Sequence, residues 1–217
     1  GNGRNATQGS ATSRPLLSRE DNRENLFIYS HSPSSWNGVI AANTIANATY
    51  ASTNVIQASA GNSNHQMSFR ANSGNVGRIV SGQTYRMTIK LNYINHRWAW
   101  IGDSQDNLFH GLRVDLLNGT IDATYDVLSS SVSTDLDGGY IYKFTFLRSA
   151  ASGLDTRANI TFGDSSIVNS GASYNAAGTE QIGIAYASLN NVLADDYVIE
   201  TTSFAIDRGV NGHKAVV

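Results

Sequence analysis

Asp103, Asp106, Asp195 and Asp196 are the residues whose spacing could bring two carboxylates onto one bond, the arrangement a glycosidase needs for general acid and base work. Most aspartates of the chain, however, stand beside Gly, Asn or Ser, where a short carboxylate supports turns by bonding the local backbone. The histidines His31, His65, His96, His110 and His213 show no HExxH spacing, and no GxSxG elbow is present. Gly61, Gly74, Gly77 and Gly82 are too far apart for a phosphate-cradling loop. Cysteine is absent, which removes disulfides, thiolate metal sites and a cysteine nucleophile. Catalysis therefore lacks a constellation to carry it, and the expectation is a non-enzymatic protein that binds or assembles.

Binding chemistry has a denser candidate. Sugars present flat C–H faces that stack on aromatic rings, while Asn, Asp, Gln and Arg side chains bond the hydroxyls at the rim. The run Asn92-Tyr93-Ile94-Asn95-His96-Arg97-Trp98-Ala99-Trp100 concentrates such groups, and the polar stretch Gly102-Asp103-Ser104-Gln105-Asp106-Asn107 follows it. Tyr93, His96, Trp98, Trp100, Asp103 and Gln105 are the candidate carbohydrate contacts. Their bland counterpart is packing, since two tryptophans at period two also suit a buried sheet face. The loop after Gly102 is the place where calcium could be held, because hard cations want several oxygens; its bland counterpart is a solvated loop. Trp36 is expected to pack, as are Tyr140 and Tyr142 with Phe144 and Phe146. The Asn-x-Thr sequons at Asn5, Asn47, Asn118 and Asn159 are assigned no role in a chain so rich in Asn and Thr.

Strands must position these groups. Apolar residues form 41% of the chain, enough for a core, while charged residues form only 15% and Ser, Thr, Asn and Gly fill the polar remainder. That mixture favours strands and turns over surface helices. Period-two alternation is clearest in Tyr85, Met87, Ile89, Leu91 and Tyr93. It recurs in His65-Met67-Phe69, Leu112-Val114-Leu116, Tyr140-Tyr142-Phe144-Phe146, Ala158-Ile160-Phe162, Ile182-Ile184-Tyr186 and a last strand ending in Phe204 and Ile206. Asn118-Gly119, Asp137-Gly138-Gly139 and Gly163-Asp164 supply turns. A short helical turn is expected around Ser34 to Gly38. The predicted organisation is an extended arm or linker over 1–24 and a single β-sandwich domain over 25–217.

The net charge of −2 and pI near 6.2 argue against nucleic acid as partner, because binding phosphates needs a concentrated basic face. Lys90, Lys143 and Lys214 are the only lysines, and no apolar run reaches the length of about 18 residues that a membrane span needs. The chain opens Gly1-Asn2-Gly3 rather than with Met, so a fragment, a processed product or a tagged form is expected.

Several segments, in order, share the pattern of one known family of modules. Ala11-Thr12-Ser13-Arg14-Pro15-Leu16 is similar to that family's small-polar Arg-Pro lead-in, and Asn25-Leu26-Phe27-Ile28-Tyr29-Ser30 with Trp36 to its Asn-Leu-Leu-x-Tyr-Ser segment and nearby Trp. Gly82-Gln83-Thr84-Tyr85-Arg86-Met87 resembles its Gly-x-x-Tyr-x-apolar strand, and Val114-Asp115-Leu116-Leu117-Asn118-Gly119-Thr120-Ile121 its Phe-Asp-Leu-x-x-Gly-x-apolar hairpin. Asp137-Gly138-Gly139-Tyr140-Ile141-Tyr142-Lys143-Phe144 stands where the family has Gly-x-Gly-Trp-apolar-Arg, and Ser203-Phe204-Ala205-Ile206-Asp207-Arg208-Gly209 resembles its closing segment. Tyr140 in place of Trp, Phe27 in place of Leu and Asp207 in place of Glu depart from the pattern.

In these segments the chain resembles a module of bacteriophage structural proteins, and the resemblance implies an antiparallel jelly-roll sandwich akin to carbohydrate-binding modules, at the virion surface on a tail fibre, tail spike, head fibre or capsid. It carries no shared catalytic residues. The implied role is host recognition through surface polysaccharide, with virion subunits as further partners and a homo-oligomer, such as a trimer, as the assembly. The alternative is a capsid or tail decoration protein that cements the particle without recognising sugar; its arm would wrap a neighbour. A depolymerase is the third reading.

Overall fold

Tyr85, Met87, Ile89 and Leu91 are all fully buried, and the residues between them face the other way, so the alternation read from sequence is a ten-residue strand, Thr84–Tyr93. This strand is β6 of a computed structural model that describes residues 43–52, 54–70, 81–103, 110–148 and 157–192. The expected arm, the boundary at Asn25, Trp36, the helical turn at Ser34 to Gly38 and the strand ending at Ile206 lie outside the described residues.

The strands in chain order are β1 Asn43–Ala46, β2 Ala48–Ser52, β3 Val55–Ala58, β4 Gly61–Ser63, β5 Gln66–Arg70, β6, β7 Trp98–Asp103, β8 His110–Asp115, β9 Thr120–Tyr125, β10 Ser129–Thr134, β11 Tyr140–Leu147, β12 Arg157–Gly163, β13 Tyr174–Ala176 and β14 Gln181–Val192. All pairings are antiparallel. One six-stranded sheet runs β1-β5-β12-β7-β8-β9, a second runs β10-β11-β6-β14-β3-β2, and β13 with β4 forms a small ribbon. The described chain is therefore all-β.

The two sheets bury their facing sides against each other in one core. The second sheet gives Ile56, the four β6 residues, Tyr142, Phe144, Phe146, Ile182, Ile184, Ala187 and Leu189. Opposite them stand Met67, Ala99, Ile101, Leu112, Val114, Ala158, Ile160 and Phe162. Each large side chain so removed from water contributes about 1.5–3 kcal/mol, which is how a chain without disulfides holds two sheets together.

Two local departures from simple alternation matter. In β14 the pairing with β6 shifts between Ile184 and Tyr186, so one extra residue reverses which side chains face inward. Ile182 and Ile184 are buried before it, Ala187 and Leu189 after it, and Tyr186 sits opposite Lys90 on the outer face. The expected Ile182-Ile184-Tyr186 face is thus corrected at its third member. His65 lies just before β5 and is fully buried. Its Nδ1 is 2.6 Å from the Asn47 carbonyl, and its Nε2 is 3.0 Å from both the Gly61 and Tyr174 carbonyls, tying the β1–β2 corner to the ribbon.

Candidate functional site

The chain leaves the second sheet at Tyr93, turns through Ile94 to Arg97, and enters the first sheet at Trp98. At this corner Tyr93 is 40% exposed, Ile94 39% and Leu117 of the neighbouring β8–β9 turn 47%. Arg97 is exposed and Trp98 half-buried, with the guanidinium carbon 4.8 Å from the indole centroid.

Polar contacts hold the corner. Asn95 donates from Nδ2 to the Thr179 carbonyl at 3.0 Å and accepts from the Gln181 N–H at 2.6 Å, fixing the corner to the start of β14. Arg97 donates from Nε and Nη2 to Asp115 Oδ2 at 3.0 and 2.7 Å. The same carboxylate accepts from the Leu117 and Asn118 N–H groups and from Asn118 Nδ2. Burial pushes the Asp115 carboxyl up, but the bonds from Arg97 and Asn118 outweigh it and hold it below the usual range. Gly119 completes this turn at φ +64°, and a Cβ there would lie 2.0 Å from the Tyr140 ring, so both the backbone and the neighbour require glycine. Behind Asn95, Glu180 accepts from the Ala177, Gly178 and Thr179 N–H groups at 2.8–3.0 Å, closing the adjoining loop on itself.

The six residues expected from sequence separate by burial. Tyr93 and Trp98 reach the surface of the corner. His96 lies beneath it, 6% exposed, with its ring 5.1 Å from Phe162 and 5.4 Å from Tyr174. Burial lowers its pKa, and the backbone of Trp98 and Gly163 and the charge of Glu180 offset only part of that. Trp100 shares the outer face of the first sheet with Trp98 but is fully buried, its indole over Gly102 and Gly111. Asp103 is fully buried and accepts from Arg148 Nη1 at 2.8 Å. Gln105, and Asp106 of the expected calcium loop, lie outside the described residues, as do Asp195, Asp196, His31 and His213.

Of the expected residues, Tyr93 and Trp98 thus stand at the surface of the corner, with Arg97 stacked on Trp98 and with Asn95 and Asp115 as supports. The supporting pair was not singled out from sequence, although Asp115-x-x-Asn118-Gly119 carries a turn signal of the Asx type. The corner can offer the exposed Tyr93 ring to a ring or sugar face, while Arg97, stacked on Trp98, keeps Nη1 free of Asp115 for an acceptor.

Carboxylates elsewhere among the described residues are committed internally. Asp135 and Asp137 each accept from Lys90, at 2.6 and 2.5 Å, and this bond holds both carboxyls below the usual range. Asp122 accepts from Arg113, Asp126 faces His110, and Asp164 accepts from the Ser166 N–H and hydroxyl. No group of three or more His, Asp or Glu side chains converges as a metal site among the described residues. No protein-family model matches the chain, and no curated protein matches it in sequence.

Proposed function

We propose that the chain is a non-enzymatic module of a virion surface that binds host surface glycan through the corner between β6 and β7. The observation that carries this reading is the corner itself: Tyr93, Arg97 and Trp98 present aromatic and guanidinium surface on a backbone fixed by Asn95 and Asp115. A preformed site of this kind loses little conformational freedom on binding, which suits weak, flat ligands such as sugars. The two-sheet antiparallel architecture and the order of the phage-like segments support the same reading, and we read the winding as the jelly-roll type that the resemblance implies. A homo-oligomeric arrangement would multiply weak sugar contacts into useful avidity.

The test is binding of the purified chain to a glycan array and to host polysaccharides, with and without calcium, beside Tyr93→Ala and Trp98→Ala. Saturable binding that both substitutions weaken at unchanged thermal stability supports the proposal. A well-folded chain that binds no glycan, yet attaches to particles lacking it, would instead establish the cement role. Release of reducing ends from polysaccharide would establish a depolymerase.

A further inference from the structure

Among the described residues the second sheet ends on β10, whose sequence is Ser-Ser-Ser-Val-Ser-Thr. Five of its six residues are exposed and Val132 is half-buried. Sheet edges are ordinarily blunted by Lys, Pro, a bulge or an inward charge, because their open N–H and C=O groups invite another strand. β10 carries no Lys, Pro or charge, and its ladder with β11 runs without a register shift; just before it, Leu128 as well as Ser129 opposes Thr145, the Leu128 N–H donating to the Thr145 carbonyl at 2.8 Å. Asp135 donates its N–H to the Gly139 carbonyl at 2.8 Å. Antiparallel alternation from that bond turns Ser133 and Ser131 toward β11 and leaves the backbone groups of Ser130, Val132 and Thr134 on the open side. The two most exposed large apolar side chains among the described residues flank this strand, Leu128 at 64% and Leu136 at 105%. Val132 lies midway between them.

We propose that β10 is a self-pairing edge: two copies of the chain join antiparallel through it, Val132 against Val132 on a two-fold axis, so that their second sheets become continuous. This register follows from the residues. With Val132 on the axis, Ser130 faces Thr134 of the other copy, so every open backbone group of the edge meets an open partner. Leu128 of each copy comes alongside Leu136 of the other, covering both leucines at once. Asp135 faces Ser129, Asp137 faces Val127 and Asp126 faces Gly138, so no carboxylate opposes a carboxylate. A two-fold, self-complementary contact also closes, which keeps an open edge from propagating into a fibre. The proposal is independent of the glycan reading, since it uses none of the corner residues.

Sedimentation velocity of the full chain over a wide concentration range tests it. A concentration-dependent dimer is expected. Ser130→Pro, which removes an open-side N–H, and Leu136→Glu should each raise its dissociation constant about tenfold or more, the equivalent of one lost hydrogen bond or apolar contact. Leu136→Glu alters a fully exposed side chain and keeps the test valid if the proline variant does not fold. The chain has no cysteine, so oxidised Val132→Cys should give a covalent dimer, facing residues of a hydrogen-bonded pair having Cα atoms about 5.5 Å apart. Ser166→Cys, on a different surface loop, should not. A monomer at every concentration, an oligomer indifferent to Leu136→Glu, or a Val132→Cys chain that stays monomeric overturns the proposal.

Discussion

Arg148 and Asp103 form an ion pair that water does not reach: Nη1 stands 2.8 Å from Oδ2, and the two side chains are 1% and 0% exposed. Arg148 follows β11 of the second sheet and Asp103 ends β7 of the first, so the pair bridges the two layers at one end of the core. Removing one partner leaves the other charge buried without this bond. Arg148→Met or Asp103→Asn should each cost about 3–5 kcal/mol in chemical denaturation, and the double variant should recover part of that. Additive losses would show that the two side chains are held by other neighbours rather than by each other.

Trp100 and Gly111 form a second dependency. A Cβ on Gly111 would stand 2.6 Å from the indole and 2.5 Å from the Ile101 carbonyl, and one on Gly102 would stand 2.2 Å from the His110 carbonyl. The indole is seated flat because both strands beneath it lack side chains there. Gly111→Ala should therefore destabilise by about 1–3 kcal/mol, the usual cost of overpacking, and shift tryptophan emission to the red as the ring is displaced. Unchanged emission with full stability would show that the ring has room to move.

These pairs mark what was legible from the residues. β6, β11 and β12 follow directly from period-two alternation, because a strand with one buried face writes that face into every second residue. Trp98 and Trp100 were correctly placed on one face of β7, yet alternation reports the face and not what lies upon it. The burial of Asp103 was invisible because its partner is 45 residues away, and a polar loop with an aspartate looks the same whether or not an arginine arrives. The bulge before Tyr186 has no marker in Ile184-Ala185-Tyr186-Ala187, so the alternation was carried one residue too far. The corner's supports were partly readable: Asn118-Gly119 announced the turn, but only the fold brings Arg97 to Asp115.

His96 gives the fold a pH dependence of predictable sign. Its ring is buried against Phe162 and Tyr174, Glu180 is the charged group that acts on it, and its folded pKa is lowered from the ordinary 6.5 by burial. As pH falls through that ordinary value the unfolded chain takes up a proton that the folded chain does not, so stability declines until the folded pKa is passed. Thermal melts of the native chain and His96→Phe at pH 7.5 and 5.5 should diverge, the native chain losing more on acidification. Equal losses would show that His96 does not set the pH dependence.

Asp115 acts lower on the pH scale and in the opposite way. Its folded pKa is held below the usual carboxylate value, so the stabilisation is complete above about pH 5 and is lost as pH falls through the lowered pKa. Asp115→Asn leaves Nδ2 facing the donors of Arg97 or Asn118 in place of an acceptor, and should cost about 1.5–3 kcal/mol at pH 7, the range for hydrogen bonds to a charged group. The cost should shrink as pH falls through the lowered pKa of the native carboxyl. Because Asp115 positions Arg97 over Trp98, the variant should also weaken the proposed glycan binding less than Trp98→Ala does, acting through orientation rather than contact. A variant as stable as the native chain at pH 7, or one whose deficit does not shrink on acidification, would place the restraint of the corner in Asn95 and its bonds to Thr179 and Gln181 instead.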